Sequence, residues 1–463
     1  MFGCPLRSLA SPSLQRFARL ALTSVAAMAL FASSQTASAQ QKLTTEAIIG
    51  DSVSEPNSPK YSDISDAIRF YKNRDIPNAQ LLLETAKRKH PKLPPAAIML
   101  AKMHLQAGQS NAVRTALNQS VSEAADDPEP YLMLAESALA GNRVIEADAL
   151  FDKAIRLTQG YDANLNRKRS FVIRAYNGRA VVNQRRSMWE AAEKDLRVWL
   201  ETDPENAAAH GLLGNVMFML ERPRDGLKSF AEAQKLDSKR PSPYVTAGVV
   251  LQRRGDNAQA VEYFRRAYQD DRTDEIVVTQ FANSLVINGE PKEAIKVIEG
   301  GLRDKELADT FNLWLLRGVA ARIEGNNEQA EKAYLRALAL EPTNRDIFLQ
   351  LTYLFADRKD EVSLRRAGQY ADMNRRLNEN NPDAQIAFAW VLEQSKQPRR
   401  AQEVLRKALQ LGAPSPDSLL HVAKMFLARD QVDQAKQLLT TAIEKDQRIF
   451  IGKQEAETLL ASL

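Results

Sequence analysis

The side chains of this 463-residue chain best equipped for chemistry are four histidines, one cysteine and a run of arginines. The histidines are His90, His104, His210 and His421. No two of them stand at a metal-ligand interval such as H-x-x-x-H, so spacing points to no metal. His210 and His421 fall on helical stretches near the apolar face and read as packing residues. Cys4 is single, so no disulfide closes within the chain. The nucleophile elbow G-x-S-x-G, a phosphate-cradling loop and G-x-G-x-x-G are all missing. Many acids pair with Lys or Arg at helical intervals, the mark of a solvated helix face. Nothing here supports catalysis or a cofactor, and the chain reads as a binder rather than an enzyme.

One stretch does carry binding chemistry. RKRSFVIRAYNGRAVVNQRR, residues 167–186, holds Arg167, Lys168, Arg169, Arg174, Arg179, Arg185 and Arg186 and no acid. Guanidinium suits carboxylate or phosphate, so an anionic polysaccharide, a lipid head group or an acidic partner would fit. A junction whose acids come from neighbouring helices would fit equally well.

The elements that must position these residues are nearly all helical. Apolar residues recur at intervals of three and four from about residue 60 onward, and strand-like alternation is scarce. The N-terminus differs. Arg7, Arg16 and Arg19 precede an apolar run from Leu20 to Phe31, and Ala37-Ser38-Ala39 follows. This is the layout of a signal peptide cleaved after Ala39, and it predicts an exported, periplasmic or secreted protein. Without residues 1–39 the net charge falls from +5 to +2, because three arginines leave. A near-neutral mature chain gives no case for nucleic acid. No later segment is long or apolar enough to cross a membrane. Cys4 leaves with the signal, so packing alone must hold the mature protein together.

The helical region repeats with a period of 34 residues. Counting from residue 311, Trp314 is fourth, Gly318 eighth, Ala321 eleventh, Ala330 twentieth, Tyr334 twenty-fourth, Ala337 twenty-seventh and Pro342 thirty-second. The frame from 207 gives Gly214, Gly226, Phe230 and Ala233 at the corresponding places, and that from 241 gives Gly248, Ala260, Phe264 and Ala267. This pattern resembles the tetratricopeptide repeat. The resemblance implies an all-α protein, an α-solenoid of about eleven helix-turn-helix repeats forming a right-handed superhelix. Frames begin near residues 60, 94, 128, 173, 207, 241, 275, 311, 345, 382 and 416. The expected division is a signal peptide at 1–39, a flexible leader at 40–59, a repeat array at 60–449 and a capping helix at 450–463. Residues 158–172 read as a lengthened junction. Leu364 stands where a small residue belongs, which predicts a stretched or bent second helix.

In such repeats the first helices line a concave groove. By resemblance the groove here presents Asn177, Val181, Arg185, Leu212, Asn215, Phe218, Thr246, Val249, Arg253, Asn283, Leu316, Val319, Tyr353 and Trp390. The asparagines can both donate to and accept from a peptide backbone. A two-carboxylate clamp for acidic tails is incomplete, since Gly211 and Thr246 accompany Asn215, and Thr279 and Leu316 accompany Asn283. The resemblance therefore implies a non-catalytic protein-interaction scaffold of a bacterial cell envelope, with a protein or peptide partner, in envelope assembly or exopolysaccharide secretion. The alternative is an anionic glycan- or lipid-binding module using residues 167–186.

Overall fold

A computed structural model of the chain describes residues 43–444 and 449–463. The signal sequence read at residues 1–39, with Cys4, lies outside them. Among the described residues there are twenty-four α-helices and no strand. α1 (Thr45–Ile49) is a single short turn. Eleven helix pairs follow, and they divide between two compact units, residues 1–240 and 241–463.

The first unit holds α2 (Ser62–Lys72) with α3 (Ile76–Lys89), α4 (Ala96–Gln106) with α5 (Ser110–Glu123), and α6 (Glu129–Ala140) with α7 (Val144–Gln159). It continues with α8 (Leu165–Arg185) and α9 (Trp189–Thr202), then α10 (Ala207–Met219) and α11 (Pro223–Leu236). The second unit holds α12 (Pro243–Arg254) with α13 (Asn257–Asp270), α14 (Glu275–Ile287) with α15 (Pro291–Gly301), and α16 (Phe311–Ile323) with α17 (Asn327–Leu340). After these come α18 (Arg345–Ala356) with α19 (Glu361–Leu377), α20 (Pro382–Gln394) with α21 (Pro398–Ala408), and α22 (Pro416–Leu427) with α23 (Val432–Glu444). α24 (Lys453–Ala461) closes the chain. The all-α reading and the paired-helix repeat are thus what the molecule contains.

The turn inside each pair keeps the period. Every one of the eleven carries a single left-handed residue: Arg74, Gly108, Asn142, Ser187, Glu221, Gly255, Gly289, Gly325, Lys359, Lys396 and Asp430. Most neighbours in this series are 34 apart, and the intervals 142–187, 289–325 and 359–396 are 45, 36 and 37. The largest insertion, eleven residues, is close to three helical turns at 3.6 residues each. It therefore lengthens α8 to 21 residues without rotating its packing face. The expected loop-like junction over 158–172 is mostly helix, with only 160–164 outside α7 and α8.

Glycine at the eighth position makes room for the aromatic ring at the twenty-fourth. A Cβ on Gly248 would lie 2.7, 2.8 and 2.9 Å from carbons of the Phe264 ring. Gly214 faces Phe230 and Gly318 faces Tyr334 in the same way. The twentieth position meets the eighth directly in one pair, where a Cβ on Gly226 would lie 3.1 Å from the Gly214 carbonyl oxygen. Alanine at the twentieth and twenty-seventh positions is sealed off, as Ala330 and Ala337 are. Each pair leaves its own apolar face open, so its neighbours complete the core.

Two expectations need correction. Residues 40–59 do not form a flexible leader from 43 onward. Ile48 and Ile49 are fully buried among Tyr61, Ile64, Leu100 and Met103. These two side chains cover that face of the first pairs. In the frame from 345, Leu364 is not the packing residue. The buried positions of α19 are Ser363, Ala367, Ala371 and Asn374, so the helix has turned by one residue and a small side chain still meets the first helix. At the other end, Ala456 is buried with Leu420 and Leu439, and Leu459 and Leu460 pack against the same cluster.

Candidate functional site

The groove positions separate by burial. Asn177, Val181, Arg185, Leu212, Asn215, Thr246, Val249 and Asn283 are half-buried along the first helices, and Arg253 is exposed. Asn215 is distinctive among them. Its Oδ1 is enclosed and accepts no hydrogen bond. Arg185 donates to the Leu139 carbonyl at 3.0 Å and to Asn142 Oδ1 at 3.3 Å, which ties α8 to the end of α6.

Five residues expected to line a groove are core instead. Phe218 stacks on Phe230 with centroids 5.7 Å apart. Leu316 and Val319 are buried within the second unit. Tyr353 is fully buried, its hydroxyl 2.7 Å from Ser418 Oγ. Trp390 is buried and donates from Nε1 to Asp357 at 3.1 Å. The larger side chains at these positions bury where a neighbouring ring or helix closes over them, whereas the polar ones stay at the edge.

The basic stretch 167–186 is not a free cationic surface, and this corrects the anion-binding expectation. Arg167 is 2% exposed. Its Nη2 lies 2.9 Å from both Asp127 carboxylate oxygens and 2.8 Å from Glu129 Oε2, and its Nη1 donates to the Tyr161 hydroxyl at 2.6 Å. Lys168 pairs with Asp162, Arg169 with Asp203, and Arg174 with Glu136. Arg179 bridges Asp152 and Asp195, and Arg186 pairs with Asp148. The acids come from α6, α7, α9 and the adjoining loops, which sequence proximity does not reveal.

The network reaches further through Glu129, which is fully buried. Lys102 Nζ approaches its carboxylate at 2.8 Å and that of Asp51 at 3.2 Å. Asn164 caps α8 and also donates to the carbonyls of Ser52, at 2.8 Å, and Lys92, at 3.0 Å. Burial alone would raise the Glu129 carboxyl. The charges of Lys102, Arg167 and Arg174 outweigh it and bring the group down to about 2.

The second unit holds a cluster that spacing did not disclose. His421 lies flat on Tyr353, with centroids 3.8 Å apart and 4° between planes, and edge-on to Trp390 at 5.0 Å. Its Nδ1 is 2.6 Å from the Asp417 carbonyl, and its Nε2 is 3.6 Å from Asp357 Oδ1. Arg322 donates to the other Asp357 oxygen at 2.8 Å. Enclosure raises the Asp357 carboxyl, but His421, Arg322 and Lys424 outweigh that and hold it well below the usual range. The only local signal was the i, i+4 interval of Asp417 and His421, since Asp357 arrives from sixty residues away. Among the described residues, no group of three His, Cys, Asp or Glu could hold a metal ion, and no helix is long and apolar enough to cross a membrane.

Among the described residues, paired helices with small residues under aromatic rings form an all-α repeat array, the architecture of protein-interaction scaffolds. Two tetratricopeptide-repeat family models match the chain, over residues 133–300 and 279–345. Over residues 133–345 the chain is thus similar to the tetratricopeptide repeat family. Among solved structures it is similar to yeast Tom70, at 14% identity over 87% of this chain and 95% of that one, with a TM-score of 0.37. It is similar to MamA at 17% identity, over 36% of this chain and 89% of the other, with a TM-score of 0.32. It is also similar to Pseudomonas aeruginosa pilF at 20% identity, over 46% of this chain and 92% of the other, with a TM-score of 0.29. No curated protein matches the chain in sequence.

Proposed function

We propose that this tetratricopeptide repeat protein is a non-catalytic scaffold of a bacterial cell envelope, exported by cleavage after Ala39, that holds an extended segment of a protein partner. The repeat family supports protein binding as the general activity. The single observation that carries the site is Asn215, whose Oδ1 is enclosed yet accepts no hydrogen bond. An enclosed acceptor without a donor costs free energy, on the order of 1–3 kcal/mol. A bound peptide backbone N–H would recover that loss. Asn177, Val181 and Leu212 stand half-buried at the groove positions of α8 and α10 in the same unit. The basic n-region, the apolar run and Ala37-Ser38-Ala39 support export. A role in envelope assembly or exopolysaccharide secretion follows by analogy of fold.

Cross-linking the mature chain to its partner in the envelope, followed by Asn177→Ala with Asn215→Ala, tests the reading. Each lost hydrogen bond costs roughly 0.5–1.5 kcal/mol. The pair should weaken partner binding about five- to 150-fold with unchanged folding. Unaltered affinity for a confirmed partner rejects the groove. N-terminal sequencing that retains residues 1–39 rejects export by cleavage.

A further inference from the structure

Charge is balanced unevenly along the chain. Most cations of the stretch 167–186 meet carboxylates brought by neighbouring elements. α21 and the turn before it are the reverse. Lys396, Arg399, Arg400, Arg406 and Lys407 are all exposed, and among the described residues no carboxylate pairs with any of them. Arg400 donates to the neutral Gln397 side chain at 2.5 Å. The acids of the preceding helix are engaged elsewhere. Glu393 pairs with Arg429 at 2.6 Å, and Asp383 accepts the Ser415 backbone N–H at 2.7 Å. Glu403 is the single acid of the stretch 396–411, so five cations leave it a net charge of +4.

The helix sorts its side chains cleanly. Ala401, Leu405 and Ala408 are its buried side. At 3.6 residues per turn, Arg399, Gln402 and Arg406 form a stripe on the opposite side, with Arg400, Glu403 and Lys407 beside it. Leu409 extends the first stripe past the helix end and is 42% exposed. Leu411 follows in the turn and is 39% exposed. A cationic face that ends in uncovered leucines suits a partner that is anionic at its surface and apolar just beneath. A polyanion dissolved in water would engage the cations but gain nothing from the leucines. A bilayer uses both, since its head groups attract Lys and Arg and its acyl boundary accepts apolar side chains.

We propose that the outer face of α21 rests on a bilayer bearing anionic lipid, with Arg399, Arg400, Arg406 and Lys407 against the head groups and Leu409 and Leu411 at the acyl boundary. The contact is peripheral, as no helix among the described residues is long and apolar enough to cross a membrane. The face belongs to the second unit, apart from the groove positions of the first, and neither reading depends on the other.

Flotation with vesicles tests the proposal, using phosphatidylcholine alone and phosphatidylcholine with phosphatidylglycerol in equal parts. The protein used is the mature form from Gln40, which keeps every described residue and lacks the arginines and apolar run of 1–39 that would themselves bind lipid. It should float with the mixed vesicles and not with phosphatidylcholine, and added salt should release it. A cation near such a surface is worth about fivefold in affinity, so Arg399→Gln with Arg406→Gln and Lys407→Gln should weaken binding roughly a hundredfold. All three side chains are exposed, so the melting temperature should not change. Leu409→Ser with Leu411→Ser should weaken vesicle binding roughly tenfold and leave binding to soluble dextran sulfate as it was. Equal binding to both vesicles, or undiminished binding in the folded triple variant, overturns the proposal. A leucine pair without effect on vesicle binding overturns it too and assigns the face to a soluble polyanion.

Discussion

The two units solve the same packing problem with different materials. Residues 43–240 are joined through charge: Arg167, Glu129, Lys102, Asp51 and Arg174 link α4, α6 and α8 to the segment before α2. Residues 241–463 are joined through rings: Tyr353, His421 and Trp390 bring α18, α20 and α22 together, and Phe348 and Phe355 flank Tyr370. The charged solution follows from the longer α8, whose added turns must meet polar partners or remain solvated. The lesson is that a repeat prescribes where small and large side chains go but leaves the wider contacts open. A buried ion network loses heavily when one member goes, because the others stay charged and unpaired. A ring cluster loses mainly contact area and degrades by smaller steps.

The largest expected effect tests this contrast. Glu129→Gln should destabilise the first unit by roughly 3–5 kcal/mol, since Arg167 and Lys102 lose a shared buried partner. Hydrogen exchange should show lost protection across 62–202 and little change across 275–444. Equal loss in both would mean that the units do not differ as described. Ala330→Asp is the mirror change. It places an unpaired charge where two helices touch in the second unit, again at roughly 3–5 kcal/mol, with protection lost around 275–380.

Acid should separate the units next. Glu129 lies at about 2 in the folded chain against an ordinary 4.5. Its stabilisation is complete above 4.5 and is lost as pH falls from there toward 2. In the wild type, denaturant unfolding followed over that window should show the stability of the first unit falling, and in Glu129→Gln this fall should be much reduced. A pH profile unchanged by the substitution would contradict the buried network.

A milder change is Tyr353→Phe, which removes the hydroxyl bond to Ser418 while keeping the ring on His421. The loss should be about 0.5–1.5 kcal/mol, read from chemical denaturation. A loss as large as that of Glu129→Gln would show that the ring cluster depends on its polar contacts as the charge network does. The smallest effect has the opposite sign. Glu221 is exposed and left-handed at the turn between α10 and α11. Glu221→Gly should stabilise by about 0.5–1 kcal/mol, as glycine has no Cβ to strain there. Thermal melting that falls instead would mean that the glutamate side chain holds the turn.

Much of the fold could be read from residue types alone. The 34-residue interval, the small residue before an aromatic and the proline ending a helix are local signals, and each repeat folds mostly against its immediate neighbours. The same locality explains the failures. Asn215 and Asn177 could be placed by position in the repeat, but whether a large side chain at such a position is groove or core depends on what the next helices cover. Phe218 and Tyr353 are core for that reason. The basic stretch misled because its acids lie on α6, α7 and α9, beyond any helical interval.

By itself the sequence determined the class of this protein: all-helical, repeated and, with Cys4 its single cysteine, without a disulfide inside the chain. These properties follow from periodicity and composition, which act over a few residues. Only the tertiary structure decided that residues 43–59 cover the first pairs, that Arg167 is buried against Asp127 and Glu129, and that Asp357 and Asp417 meet at His421. Those outcomes depend on pairs separated by up to 112 residues, as in the bond from Asn164 to the Ser52 carbonyl. Which distant groups meet is set by how the pairs stack, and electrostatic and hydrogen-bond energies depend on the resulting distances and exclusion of water, neither of which a linear pattern encodes.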